Sequence, residues 1–559
     1  MSPLDIVILV IYLIGVSGLG GFFWFIQRRR KQNSTNNFFT GGSKNPIWVV
    51  GLSIWATILS SLFFVNITGQ VATGAWMWVG PNIALIGITP FVAMWVIPFY
   101  RRLKASTAYA YLQERFNYAL RAINSASFII FQIFRVAIVL FVPIIALTAV
   151  VDVSPYIMIV VVGIIVALLT AFGGFKAVIW ADAIQGIVLL VGIGAVLIGA
   201  LVKTNYGSDT LVYQSILTKE SWKLSLAQGG ISFLFLFNII NSMYAFMGSQ
   251  DVTQRYKGTR NIAQIRKTLY ISSFLGVITV LLFFGAGSAL YTYYSTVPGA
   301  DVNDLFKSIG VSQNTFMINF VKNALPIGFV GLILAAIFAS SQSTISSGLS
   351  ALANSIIVDF IQPITKHSKS DRYYLWFSRI LVLVFGGAAI LFGVVLIYVK
   401  QTDLLNYFTG FVGLLNAPTV AVFLLGIFSR RANSVGVLIG IIIGFIIGIP
   451  LWLLTQGFIP ESARIQFHGV WLTLTTFFTT LILGYVFSLI ANRFGHQPTP
   501  EKLVNHTMQF RTKEFKQLTR LESSLGKIAT LVKKGQLSQE YLDLAEEKIE
   551  QLGTIVSNQ

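Results

Sequence analysis

Apolar runs of at least 18 residues follow one another along this chain from residue 5 to about residue 490, parted by short polar loops. Each is long enough to cross a bilayer as a helix. The pattern predicts thirteen spans, at 5–26, 47–72, 78–100, 123–149, 155–173, 178–201, 229–249, 269–296, 326–361, 374–399, 404–428, 435–457 and 468–490. The first run, DIVILVIYLIGVSGLGGFFWFI, is too long for a signal-peptide core and has no basic residue before it, so it reads as a retained span. After about residue 491 the pattern turns polar. FKQLTRLESSLGKIATLVKK and SQEYLDLAEEKIEQLGTIV keep helical spacing around a Gly-Gln break, which predicts a short hairpin in a solubilising tail. A regulatory or oligomerising role for that tail stays open.

Composition agrees with a polytopic membrane protein. Of 559 residues, 55% are hydrophobic and 11% charged, against about 25% charged in a soluble protein. The net charge of +19 would fit a nucleic-acid partner, but its placement argues against one. Most Lys and Arg fall in the loops after alternate spans and in the tail, which puts the N-terminus outside and the C-terminus in the cytoplasm of a multi-pass cell-membrane protein. QRRRK (27–31) and YRRLK (100–104) then read as topogenic residues beside lipid headgroups. With no cysteine, four His, no GxxxxGK[ST] loop and no HExxH motif, the chain shows no basis for ATP-driven transport, a catalytic zinc or any enzyme centre.

Two ionisable residues lie well inside spans: Arg135 in FQIFRVAIVL and Asp182 in VIWADAIQG. Each needs a partner or water. The 326–361 span carries SSQSTISSGLS at 340–350, where Ser340, Ser343, Thr344 and Ser347 share one helical face and Ser346 and Ser350 flank it. Such a row suits a small hard cation, and it also suits tight helix packing. The acid at Asp182 shifts the balance toward the cation, which would satisfy both. The spans 47–72 and 229–249 hold small and polar residues at mid-depth (Ala56, Thr57, Ser60, Ser61 and Asn66; Asn238, Asn241, Ser242 and Gly248). They stand five spans apart, as discontinuous helices of two related halves do in transporters.

At these residues the chain resembles the sodium:solute symporter family. Five segments carry the match: NNFFTGGSKNPIWVVGLSIWATILSS (36–61), LKASTAYAYLQERF (103–116), FGGFKAVIWADAIQG (172–186), SQDVTQRYKGT (249–259) and LAAIFASSQSTISS (334–347). Arg135 and the SQDVxQRY pattern are most similar to its sialic acid branch. The resemblance implies a LeuT-like five-plus-five inverted repeat with broken helices 1 and 6. The transporter domain would span 1–490, with repeats at about 47–201 and 229–428 and extra helices at 5–26 and 435–490; residues 491–559 form the tail.

The resemblance also implies site residues. A common sodium site would use Ala56 and Leu59 carbonyls with Ser340, Ser343 and Thr344. A second, present in some branches, would use Asp182, Ser343, Ser346 and Ser347, giving one or two co-transported Na⁺. Solute contacts would come from Ser60, Phe63, Asn82, Arg135 and Phe246. Ile58 and Phe63 depart from the threonines of the sialic acid branch and from the amides of sugar transporters. Arg135 either pairs a solute carboxylate or vicinal hydroxyls, or ties backbone carbonyls. The implied activity is sodium-coupled uptake of a small polar solute by a monomer in the lipid bilayer, a sugar acid such as sialic acid coming first. A neutral sugar or polyol symporter is the alternative, and a transporter-like sensor signalling through its tail is the alternative of another class.

Overall fold

The structure, a computed structural model, describes residues 2–29, 45–74, 79–103, 106–148, 153–204, 231–301, 305–313, 315–366, 368–398, 404–455 and 469–558. Within them the chain is helical, with no strand. The principal helices are α1 (Pro3–Arg29), α2 (Ile47–Ile58), α3 (Ser61–Gly74), α4 (Val79–Phe91), α5 (Tyr118–Thr148), α6 (Pro155–Lys203), α7 (Ile231–Met243), α8 (Gln250–Tyr256), α9 (Ile262–Ser295), α10 (Phe329–Ser355), α11 (Asp371–Tyr398), α12 (Leu404–Phe411), α13 (Ala417–Phe428), α14 (Ser434–Leu453), α15 (Gly469–Arg493), α16 (Lys513–Lys533) and α17 (Gln539–Asn558).

Among the described residues, nine helices are long and apolar enough to cross a membrane, ten if the bent pair α2–α3 counts as one span. The sequence pattern predicts thirteen, and the difference lies in three places. Two further apolar helices, within Pro3–Val16 and Phe233–Gly248, border residues whose side chains are outside the described residues, so their full apolar length is not counted. The expected spans 155–173 and 178–201 are two helical halves of α6, counted as one, that meet in a kink at Gly174, whose φ of 66° and ψ of 169° leave the helical region. A side chain would be strained in that conformation, and glycine is not.

α10 is the central element. The apolar window of Phe329–Ile364 is 83% buried, whereas that of the peripheral Asp371–Tyr398 is 28% buried. α10 packs on α6, α5 and α1. At its start, the Asp5 carboxylate of α1 accepts from the Gly328 and Gly331 amides at 2.9 and 3.0 Å. Those donors belong to the first turn of α10 and have no partner inside the helix. Halfway along, Gly348 lets α5 come close: a Cβ there would stand 2.1 Å from Gln132 Nε2. The serine face therefore lies inside the bundle, away from lipid.

The tail is more firmly held than a solvated appendage. α16 and α17 pair as a hairpin, and α16 docks on the start of α9. Phe515 and Leu518 are buried, and Arg102 sits 4.1 Å over the Phe515 ring while its Nη2 donates to Thr519 at 3.0 Å. Arg266 reaches Ser523 at 2.9 Å, and the Tyr111 hydroxyl donates to the His506 carbonyl at 2.8 Å. On the same face Lys257 donates to the Leu103 carbonyl. Burial, with Arg101 beside it, brings its ammonium down to about 8, Glu114 partly offsetting the shift. Phe515→Ala should remove about 3 kcal/mol of docking free energy. The expected result is faster tryptic cleavage within α16 than in the parent protein, with the membrane domain intact on the same gel.

Candidate solute and cation site

Two interruptions define the site. Between α2 and α3 the chain bends by 63°. Leu59 is extended (φ −80°, ψ 109°), and the backbone ladder stops at Leu59 N to Trp55 O (3.0 Å) before resuming at Phe64 N to Ser60 O (3.1 Å). Between α7 and α8 a π-helical turn, Tyr244–Gly248, is followed by extended Ser249. The broken turns leave carbonyls free to accept from side chains or cations. Thr57 supplies one, taking a hydrogen bond from Arg135 Nη2 at 2.7 Å.

The two lone ions of the sequence pattern both find partners on α8. Arg255 Nη2 lies 2.6 Å from Asp182 Oδ2, with both side chains fully buried. Arg135 Nη1 lies 2.6 Å from Asp251 Oδ2. Asp182 is therefore not the unpaired acid that its place in an apolar run implies. It also accepts from Ser53 (2.7 Å), Ser343 (2.8 Å) and Ser347 (3.3 Å). Arg255 completes the cluster through Ser347 (2.6 Å) and Ser53 (2.8 Å), and Thr57 joins it through Ser347 at 3.2 Å. One carboxylate, one guanidinium and four hydroxyls thus tie α2, α6, α8 and α10 together. Such a pair is strong only because its remaining lone pairs and protons are satisfied.

The proposed cation ligands separate into two groups. Ser343 and Ser347 converge on Asp182, whereas Ser346 turns back to the Ser343 carbonyl at 3.2 Å and does not join them. Ser53, absent from the expected set, takes that place. Of the residues expected at a common site, Ala56 and Leu59 stand at the α2 break, and the Thr344 hydroxyl is buried with no protein partner. An oxygen left this way inside the bundle fits a cation ligand. Ser340 donates to the Ile337 carbonyl of its own helix at 3.3 Å, which leaves the lone pairs of its hydroxyl oxygen uncommitted.

Beside the cluster lies a cavity of about 220 Å³, lined by Ser60, Phe63, Arg135, Asn241, Asp251 and Asn416 among others. Ile58 also lines it, so both positions that depart from the sialic acid pattern face the space where a solute would sit. Phe246 does not line it; it is fully buried and its carbonyl accepts from Tyr256 at 2.7 Å. Asn82 lies in the first turn of α4, and its side chain is outside the described residues.

A helical bundle with two interrupted membrane helices, and beside the breaks a mainly apolar cavity with a few polar groups, is the architecture of a secondary transporter. The model of the sodium:solute symporter family matches residues 38–444. The sodium/sialic acid symporter SiaT of Proteus mirabilis is 32% identical over 419 residues, covering 73% of this chain and 83% of its own. NanT of Aliivibrio fischeri, also a sodium/sialic acid symporter, is 32% identical over 445 residues, 78% of this chain and 85% of its own. The human sodium/iodide cotransporter is 26% identical over 78% of this chain and 67% of its own. A solved structure of a Na⁺-coupled sialic acid symporter, in a substrate-bound outward-open state, superposes with a TM-score of 0.76 at 28% identity, covering 88% of this chain and 98% of that one. The chain belongs to the sodium:solute symporter family.

Proposed function

We propose that this protein takes up a small polar organic solute across the cell membrane, drawing on the downhill movement of one or two sodium ions by alternating access. A sugar acid such as sialic acid is the first candidate. The observation that carries this reading is the cavity holding Arg135 beside the α2 break, with an unpartnered hydroxyl, Thr344, on the helix that faces the break. Sodium there would join α10 to the broken helix and preorganise Ser60 and its neighbours for the solute. Solute and sodium then raise each other's affinity by the same factor. Each sodium adds about 2.3 kcal/mol per 100 mV of membrane potential. The distribution of basic residues supports an N-terminus outside and a tail in the cytoplasm, and a monomer suffices for this mechanism.

A neutral sugar or polyol is the second reading. It is favoured by Ile58 and Phe63 on the cavity wall and by the carboxylate that already neutralises Arg135. Proteoliposomes loaded with potassium and placed in sodium should accumulate labelled N-acetylneuraminate, and accumulation should vanish when choline replaces sodium. Ser343→Ala should raise the sodium concentration for half-maximal uptake. Competition by D-glucose or myo-inositol, with no uptake of N-acetylneuraminate, selects the neutral reading. Accumulation indifferent to sodium for every solute overturns both.

A further inference from the structure

We propose that Asn416 is a further solute-contacting residue, whose carboxamide takes a neutral hydroxyl or amide group of the solute. The proposal rests on the sodium-coupled uptake reading and adds to it a residue that no family motif marked. Asn416 ends the π-helical turn Val412–Asn416 between α12 and α13. It lines the same cavity as Ser60 and Arg135. The residue is 1% exposed, yet neither its Oδ1 nor its Nδ2 has a protein partner. A buried amide with both ends unmade is rare, because each unmade hydrogen bond costs free energy.

The ordinary structural role for asparagine here would be to cap the following helix. That role is not filled: the side chain makes no cap hydrogen bond to α13. Nor is the turn loose. The π geometry frees the Gly413 carbonyl, and Thr476 of α15 takes it at 2.6 Å. A Cβ on Gly413 would lie 2.7 Å from the Thr473 backbone nitrogen, so α15 is seated directly against the turn. Asn416 is thus held in place by groups other than its own side chain. Single π turns within helices occur frequently at functional sites.

The chemistry selects the ligand group. A carboxamide offers one acceptor and two donors and no charge. A hydroxyl, itself donor and acceptor, or another amide reciprocates both; a carboxylate would meet only the donor. The single cation among the described residues of the cavity wall, Arg135, has its own carboxylate. Arg135 and Asn416 therefore read different parts of one solute, the second part neutral and hydroxylated or amide-bearing.

The test uses the full chain, with Asn416→Leu of similar volume and Asn416→Ala, which cannot clash. Unfolding temperature is read in sodium without solute, and uptake of labelled N-acetylneuraminate, D-glucose and myo-inositol is read in sodium-driven proteoliposomes. Removing an unsatisfied buried amide should raise the unfolding temperature of Asn416→Leu, the usual trade of a binding residue against stability. The KM of the transported solute should rise about tenfold or more in both variants, with the sodium dependence unchanged. A lower unfolding temperature in both variants makes the amide structural and overturns the proposal. So does an unchanged KM. If the parent protein accumulates none of the three probes, the uptake reading fails on its own, and the unfolding temperatures still decide whether Asn416 is structural.

Discussion

Replacing Asp182 with alanine should destabilise the protein by about 3–5 kcal/mol, because it leaves the Arg255 guanidinium charged, buried and without its counter-ion. Both side chains are fully buried and stand 2.6 Å apart, so neither can turn to water. Arg255→Met should cost less. Ser53, Ser343 and Ser347 already donate to Asp182, and a cation from solution can take the vacated place. The double variant Asp182→Ala/Arg255→Met removes both charges and should recover most of the loss. Thermal unfolding of the four proteins gives the coupling directly; additive losses would mean that the two ions do not act as a pair. The same series addresses the second sodium. A sodium ion at Ser343 and Ser347 would have to compete with the tethered Arg255 guanidinium for one carboxylate. Arg255→Met should therefore show a larger stabilisation by sodium over potassium than the parent, and Asp182→Ala/Arg255→Met none at that site.

What the pattern of residues disclosed, and what it hid, follows from how far each signal reaches along the chain. The α2 break could be read locally, since Ala56, Thr57, Ser60 and Ser61 put small and polar groups where a span should be apolar. The α10 hydroxyl face could be read from spacing, and even the divergence of Ser346 agrees with its place at the edge of that face. The partners of Asp182 and Arg135 were hidden because they stand beyond the end of an apolar run, in SQDVTQRY, where charged residues read as loop. The extended Ser249 redirects the chain, and α8 carries all seven of its residues, Gln250–Tyr256, back into the bundle as buried groups. A usable signal did exist. Two spans each held an unmatched ion, of opposite sign, and one helical turn held the two complements, Asp251 and Arg255, at i and i+4. The π turn that places Asn416 leaves no comparable trace, since a one-residue expansion of a helix changes no residue type.

Arg135→Ala should lower kcat/KM for the solute by about a hundredfold or more, with sodium still able to stabilise the protein. Losing one member of a buried, hydrogen-bonded charge pair costs about 2–5 kcal/mol. Here part of that cost falls on the protein: Asp251 keeps Ser249 and the Val252 amide but loses its cation, and the Thr57 carbonyl at the α2 break loses its donor. Arg135→Ala alone therefore cannot separate recognition of the solute from support of the break. Asp251→Asn can. With its oxygen turned to Arg135 the amide still accepts from the guanidinium and removes the competing negative charge, and only the acceptor for Ser249 and the Val252 amide is given up. A carboxylate solute would then meet a guanidinium with nothing to displace, and its KM should fall. A neutral sugar gains nothing from the freed charge, and its KM should hold or rise. The sign of that change, measured for N-acetylneuraminate and D-glucose in the same proteoliposomes, distinguishes an arginine that binds an acid from one that braces the helix beside the cavity. If Asp251→Asn leaves both KM values unchanged while Arg135→Ala abolishes both uptakes, the arginine acts on the solute only through the α2 break.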